Sequence, residues 1–232
     1  MKHIDNLDSR VKTIALMVRS ETRLADVGCD HGYLITSLAC DGIITGGVAC
    51  DINKGPLDNA IAEVAKRGLN DKIDCRLGSG LEPVLETEVD DIAIAGMGGE
   101  LIASIIENSG WKSFEGKRLI LQPMSRAPYL RRWLLQNGFS IEKEKACSSA
   151  GHDYTVISAV FTGENKDTDK YDPYVYIGEL CKDSSEEAGR YLKRTLSELE
   201  KQRKGASFGN AEREKALTQL IEKIAPVIER RK

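Results

Sequence analysis

Between Asp5 and Phe161 the chain repeats one pattern: a short apolar run stops at a glycine or an aspartate, and apolar residues at helical spacing follow. Residues 23–27 stop at Gly28, 46–50 at Asp51, 73–77 at Gly78 and 91–95 at Gly96, and a fifth run covers 118–121. Helical faces precede or follow them. They are Leu7, Val11, Ile14, Ala15 and Val18; Leu57, Ile61, Val64 and Ala65; Leu101, Ile102, Ile105 and Ile106; and Leu130, Trp133 and Leu134. A helix is also read over 33–39. Strands that alternate with helices pair in parallel through right-handed crossovers, so the pattern predicts an α/β, Rossmann-like domain with a mostly parallel sheet. Two last strands, near 141–147 and 154–161, have only a loop between them and are expected to form an antiparallel hairpin.

Composition changes after Phe161. Residues 163–170 are polar and poor in apolar groups, as a linker would be. Beyond them Leu192, Leu196 and Leu199 share one helical face, and Ala216, Leu220, Ile224, Val227 and Ile228 share another, with Gly205 and Gly209 between. An antiparallel, coiled-coil-like helical hairpin is expected, dividing the chain into 1–163 and 164–232. The charge changes sign at the same place: 18 Lys/Arg stand against 23 Asp/Glu through residue 164, and 15 against 13 after it.

The net charge of −3 gives no global basic field. No apolar run approaches the roughly 20 residues that a membrane span needs. Residues 1–6 lack the apolar centre of a signal peptide. Six cysteines, at 29, 40, 50, 75, 147 and 181, form no C-x-x-C pair and no metal-type spacing. They are expected to be reduced thiols of a cytoplasmic, monomeric protein without a metal.

Three loops at the predicted strand ends suggest a nucleoside cofactor. In an open parallel sheet, ligands bind beyond the carboxyl ends of the strands. The first loop reads Asp26-Val27-Gly28-Cys29-Asp30-His31-Gly32-Tyr33. Gly28 permits a sharp turn with no side chain in the ligand's way. A dinucleotide site would place close glycines there for a pyrophosphate; this loop instead carries Asp26 and Asp30, which suit a cationic ligand. An ordinary strand-to-helix turn would use the same glycines. The second is Asp51, some twenty residues on, whose carboxylate can accept from both ribose hydroxyls, with Ile52 and Asn53 beside it; helix capping is the alternative. The third is Gly78-Ser79-Gly80, where bare backbone can approach a flat ring edge. After the fourth strand Gly96, Met97, Gly98 and Gly99 leave backbone open to a substrate, with Met97 as a soft apolar surface. The Asn/Asp-Pro-Pro-aromatic tetrad common in enzymes that methylate exocyclic amines is absent.

The blocks at 26–34 (DVGCDHGYL), 55–60 (GPLDNA), 94–102 (IAGMGGELI) and 119–124 (LILQPM) resemble the bacterial TrmK family, as do Leu130-Arg131-Arg132-Trp133-Leu134 and Asn137-Gly138-Phe139. The resemblance covers about two-thirds of the chain. It departs at Ser79, where the family more often has Asp or Asn, and at Ile35, where Pro is usual. The resemblance implies S-adenosylmethionine as cofactor, tRNA as substrate, methyl transfer to N1 of adenine at position 22, and a helical domain after the Rossmann-like one. That nitrogen carries an in-plane lone pair and no proton at neutral pH, so no general base is required. Its product is a cation, which Asp26 or Asp30 would favour. His31 and Tyr33, at the loop mouth, are the candidates to orient the base, and Asp26, His31 and Tyr33 are the candidate catalytic residues. Cofactor contacts are expected from Asp26, Gly28, Asp30, His31, Gly32, Asp51, Ile52, Asn53, Gly78, Ser79, Gly80, Gly96 and Met97.

An RNA substrate needs phosphate contacts even on an acidic protein. Candidates are Arg126, Arg131 and Arg132 on the helix after Gln122-Pro123-Met124, and Lys193, Arg194, Lys201, Arg203 and Lys204 in the hairpin. Tyr171, Tyr174 and Tyr176 could stack on bases or pack on the core. Two other readings stay open at this point: a methyltransferase for another nucleobase or small molecule, and a non-catalytic nucleotide-binding scaffold.

Overall fold

The structure, a computed structural model, describes residues 2–230. Met1, the first residue read for a targeting signal, and the last two residues of the C-terminal segment lie outside the described residues. The elements are α1 (Ser9–Ala15), β1 (Thr22–Val27), α2 (Tyr33–Cys40), β2 (Ile44–Asp51), α3 (Lys54–Lys66), β3 (Ile73–Leu77), β4 (Asp91–Gly98), α4 (Gly99–Glu107), β5 (Arg118–Ser125), α5 (Ala127–Gln136), β6 (Phe139–Ser149) and β7 (His152–Phe161). After them come α6 (Pro173–Ile177), a 3-10 turn over Gly178–Lys182, α7 (Glu186–Ala206) and α8 (Ala211–Glu229).

The strands form one sheet in the order β3-β2-β1-β4-β5-β7-β6. The first five pair in parallel; β7 runs antiparallel to both β5 and β6, as the loop-only connection between the last two strands requires. Side chains alternate between the two faces of each strand, and both faces are covered. Leu24, Ala49, Ala93 and Ile120 pack under α1, α2 and α3. Their neighbours Ala25, Val48, Ile92, Ile94 and Leu121 pack under α4 and α5, against Ile102, Ile106, Leu130 and Leu134. Gly47 lets β2 approach β1, because a Cβ there would strike the Leu24 backbone.

Between β1 and β4 the chain order reverses: β2 and β3 lie to one side of β1, and β4 and β5 to the other. This switch point is where a parallel sheet opens a crevice beyond its carboxyl ends. Strands β4 and β5 run past their expected ends at 95 and 121. They continue as a pair, Met97 beside Pro123 and Gly98 beside Ser125, with register shifts on either side of Met97. The Gly-rich stretch can pair there because bare backbone accommodates the irregular register.

The C-terminal segment adds a third core. Leu192 and Leu199 of α7 meet Leu217, Leu220, Ile224 and Ile228 of α8, with Ile177, Leu180 and Tyr191 at the base. Caps fix the ends of these helices: Asp172 accepts from Tyr174 N–H, Ser185 from Ala188 N–H and Asn210 from Arg213 N–H. The base is tied to the sheet. Buried Asp183 accepts from Ala146 N–H and Lys145, and Arg190 of α7 pairs with Asp153 at the tip of the β6–β7 hairpin.

One expected RNA contact is corrected here. Arg131 is fully buried: its Nε and Nη2 donate to the two carboxylate oxygens of Glu144 at 2.8 and 3.1 Å, and Nη1 donates to the carbonyl of Val175 at 3.0 Å. A guanidinium already satisfied inside the fold cannot reach a phosphate. Arg131 fastens α5 to β6 and α6. The short elements over 173–182 that complete its shell carry no apolar periodicity long enough to read in sequence.

Candidate active site

A cavity of about 590 Å³ opens at the switch point, within the size range of small-molecule sites. Its floor is the end of β1, where Asp26 sits buried on the α1–α3 face. From Val27 the chain turns through Gly28 (φ 71°), Asp30 (φ 50°) and Gly32 (φ 66°) into α2. Gly28 and Cys29 N–H both donate to the Cys50 carbonyl, at 2.8 and 3.0 Å, which clamps the loop to β2. The Met97 methyl group, at the end of a flexible side chain, stands where a Cβ on Gly28 would be, so it is the positive φ that calls for glycine there.

Asp26 and Asp51 give the cavity its electrostatic character. Both are buried, at 5% and 8% exposure. Burial pushes the Asp26 carboxyl up to about 7; the backbone N–H of Ile35 pulls it down, and the Asp51 charge raises it further. The Asp26 Oδ2 atom has no hydrogen-bond partner among the described residues. Asp51 is better satisfied, its Oδ1 accepting from Asn53 N–H at 2.8 Å. The thiols of Cys29 and Cys50 are buried in the same wall, and burial raises both, that of Cys50 to about 12, so neither is a nucleophile near neutral pH. At the mouth His31 and Tyr33 are exposed and stack, ring centres 5.3 Å apart at 14°, and His31 lies 3.7 Å from Asp30.

Most of the expected cofactor residues line this one cavity. Asp26, Gly28, Asp30, His31, Asp51, Ile52, Asn53, Gly78, Ser79, Gly80, Gly96 and Met97 all border it, and so does Tyr33. Gly32 does not. It is buried at the start of α2, where a Cβ would stand 3.1 Å from that of Ala60 of α3, so it serves helix packing. Gly78 and Gly80 hold their loop against Pro83 and Ile105 as well as facing the cavity.

The structure also adds a wall that the sequence reading omits. Helix α1 closes the cavity with Arg10, Val11 and Ile14, together with its N-cap Asp8. The Arg10 Nη1 donates to Gln122 Oε1 at 3.0 Å, and the same oxygen accepts from Gly96 N–H at 3.0 Å. Gln122 itself is fully buried. One weak signal was present: Arg10 stands four residues before the inward-facing Ile14, hence on the same side of the helix.

The RNA candidates other than Arg131 are spread over the surface. Arg126 is exposed, in a left-handed conformation (φ 58°), with Glu100 at 3.4 Å. Lys193, Arg194, Lys201 and Lys204 are exposed along α7, and Arg132 and Arg203 are half-buried. Of the three tyrosines, Tyr171, Tyr174 and Tyr176, all half-buried, Tyr174 donates to Glu179. Among the described residues no cluster of three or more His, Cys, Asp or Glu side chains is placed to hold a metal, and no helix is long and apolar enough to cross a membrane.

Comparison with known proteins places this geometry. A family described as "Methyltransferase domain" matches residues 7–157. The tRNA (adenine(22)-N(1))-methyltransferase of Bacillus subtilis is 38% identical over 153 residues, which are 66% of this chain and 64% of the relative's length. The crystal structure of the B. subtilis M1A22 tRNA methyltransferase TrmK superposes with a TM-score of 0.81 at 30% identity, covering 97% of this chain and 98% of that one. Streptococcus pneumoniae Sp1610, in complex with S-adenosyl-L-methionine, gives a TM-score of 0.76 at 33% identity over 96% and 100% of the two chains.

Proposed function

The chain belongs to the TrmK family of methyltransferases, and from that premise we propose that it transfers a methyl group from S-adenosylmethionine to N1 of adenine 22 in tRNA. One observation carries the reading: a buried carboxyl, Asp26, with an unpartnered oxygen, stands beside Asp51 at the floor of the switch-point cavity. Two carboxylates there attract a cation and accept from hydroxyls, and they repel a diphosphate. A scaffold that bound a dinucleotide would turn N–H groups and cations to that place, so the same observation counts against it.

In this reading Asp26 faces the positively charged methionyl end of the cofactor and Asp51 takes the ribose hydroxyls. The Gly78-Ser79-Gly80 loop and Ile52 border the adenine, and Gly96 and Met97 wall off the transfer point from water. When bound, S-adenosylmethionine supplies an electrophilic methyl group. The protein then needs to orient a base whose N1 lone pair is already free, and to favour the positive charge that develops on it. Asp30 and Asp26 suit the second task, and the His31–Tyr33 stack at the mouth suits the first. Residues 1–163 carry this chemistry. Residues 164–232, with Arg126 and Arg132 nearby, supply cations for RNA. The six cysteines, with no C-x-x-C pair among them, fit a cytoplasmic enzyme, which we read as a monomer.

Incubation with labelled S-adenosylmethionine and unmodified bulk tRNA, followed by nucleoside digestion, tests the reading. Label is expected in 1-methyladenosine, and is expected to vanish when adenine 22 is replaced. Label in another nucleoside, or in small molecules only, would overturn it.

A further inference from the structure

A second cavity, of about 560 Å³, lies where the sheet meets the helical hairpin. One wall is the end of β5 and the start of α5, from Pro123 to Pro128; the other is α7; the tip of the β6–β7 hairpin closes the side with His152 and Tyr154. It opens on the same edge of the sheet as the cofactor cavity. Strand β5 runs beside β4, and neighbouring strands stand about 4.8 Å apart. Gly98 of β4 pairs with Ser125 of β5, and a Cβ on Gly99 would meet the Arg126 carbonyl at 2.6 Å. The two cavities therefore share the β4–β5 wall, and Gln122, which orders Arg10 and Gly96 on the cofactor side, is followed directly by the Pro123 that lines the second cavity.

The lining is unusual for this chain. Three of its seven tyrosines (Tyr154, Tyr176 and Tyr191) and one of its three histidines meet here, although aromatic residues are scarce in the sequence. Two arginines join them. Arg126 is exposed at the rim, and Arg194 lies over the Tyr191 ring at 5.3 Å while its Nη2 donates to the Asp153 carbonyl at 2.7 Å. Aromatic faces hold unstacked bases, and guanidinium groups hold phosphates. Polar groups that could meet a base edge also line it, half-buried Thr195 and exposed Glu198 among them. Arg126 has Glu100 at 3.4 Å and Arg194 has Glu198 at 3.8 Å, exposed pairs weak enough for a phosphate to displace, and a diphosphate alone would leave the aromatic faces unused.

We propose that this cavity is a second nucleotide subsite, which takes one unstacked nucleotide of the RNA substrate next to the target adenosine, with His152 and Tyr154 stacking on its base and Arg126 and Arg194 meeting its phosphate. The proposal rests on the tRNA methyltransferase reading and deepens it. The subsite holds the RNA by a nucleotide that does not react, so its contribution falls on tRNA affinity and leaves cofactor affinity alone. It also gives the helical segment a role in positioning the substrate, because α7 supplies one wall.

Two measurements test it. In the first, His152→Ala and Tyr154→Leu are compared with the conservative Tyr154→Phe, by steady-state tRNA methylation and by calorimetric titration of S-adenosylmethionine. The first two variants are expected to raise the tRNA KM about tenfold each, with cofactor affinity unchanged and Tyr154→Phe close to wild type. Because a variant can fail to fold, the second measurement uses the unaltered protein. Diethyl pyrocarbonate modifies exposed histidines, and mass spectrometry resolves His3, His31 and His152. Unmodified tRNA is expected to protect His152, and S-adenosylmethionine alone is expected not to. Equal modification of His152 with and without saturating tRNA, or unchanged tRNA kinetics in properly folded His152→Ala and Tyr154→Leu, would overturn the subsite. Failure of the parent reading looks different: the wild-type protein would bind S-adenosylmethionine and methylate no tRNA.

Discussion

Asp26 and Arg131 are both buried charged side chains, and the fold treats them in opposite ways. Arg131 has a two-point ion pair with Glu144 and a backbone carbonyl from α6, so nothing is left for a ligand to satisfy. Asp26 keeps an oxygen with no partner among the described residues, in the wall of a cavity, next to a second carboxylate. A completed buried charge fastens elements together; an incomplete one at a cavity marks where a ligand finishes the structure. Burial alone does not separate the two.

The largest effect should come from breaking the completed pair. Arg131→Met leaves Glu144 buried without its cation and is expected to cost about 3–5 kcal/mol of stability, read from chemical denaturation. Arg131→Met with Glu144→Leu should recover much of that loss. An Arg131→Met protein as stable as wild type would show that the pair is not a fastener. The same contrast bears on truncation. Removal of 165–232 strips the Val175 carbonyl from Arg131 and uncovers Glu144, so residues 1–164 are expected to fold less stably than the full chain. Calorimetry of the truncated chain should show a much lower melting temperature than that of the full chain.

Asp26→Asn should have two opposed effects. Cofactor affinity is expected to fall about tenfold or more, the loss of a charge-assisted contact worth about 1.5–3 kcal/mol. Stability without cofactor should rise at alkaline pH. The Asp26 carboxyl moves from 3.8 to about 7 on folding, so the folded protein holds this proton more tightly than the unfolded chain does. Its contribution to stability is therefore lost as pH rises from about 4 to about 7. Wild type should lose melting temperature relative to Asp26→Asn between pH 5 and pH 8, while its affinity for S-adenosylmethionine increases over the same range. Parallel pH profiles of the two proteins would show that Asp26 does not titrate there.

Asp51→Ala is expected to weaken cofactor binding about tenfold, measured by titration calorimetry, with tRNA affinity unchanged. An unaltered cofactor affinity would reduce Asp51 to a cap for the turn into α3. Smallest is the effect of a rim cation. Arg126→Ala should raise the tRNA KM only about two- to threefold and lower the salt slope of tRNA binding by about one. Arg126 thus contrasts with Arg131, five residues away, whose loss should act on stability.

The loops that line the switch-point cavity were legible in the sequence because their requirements are local. A strand that ends at Asp26-Val27-Gly28 needs a residue tolerant of positive φ, and Asp51 ends the next strand whatever else the chain does. Arg10 was not legible, because its place in the cavity depends on Gln122, 112 residues away. Nor was the second cavity, whose walls come from β5, the β6–β7 tip and α7.

By itself the sequence determined the alternation of strands and helices, the glycine and aspartate turns at the strand ends, the closing antiparallel hairpin of the sheet and the basic helical pair, since each follows from periodicity or from one residue's conformational freedom. Only the tertiary structure decided what each charge is for. Arg126, Arg131 and Arg132 lie within seven residues of one another, and in the sequence all three are candidate phosphate contacts. The packing of β6 and α6 onto α5 puts Arg131 out of the solvent with Glu144 and leaves Arg126 at a cavity rim. The reason is physical: a charge takes its role from its burial and its partners, and both are supplied by segments distant in the chain.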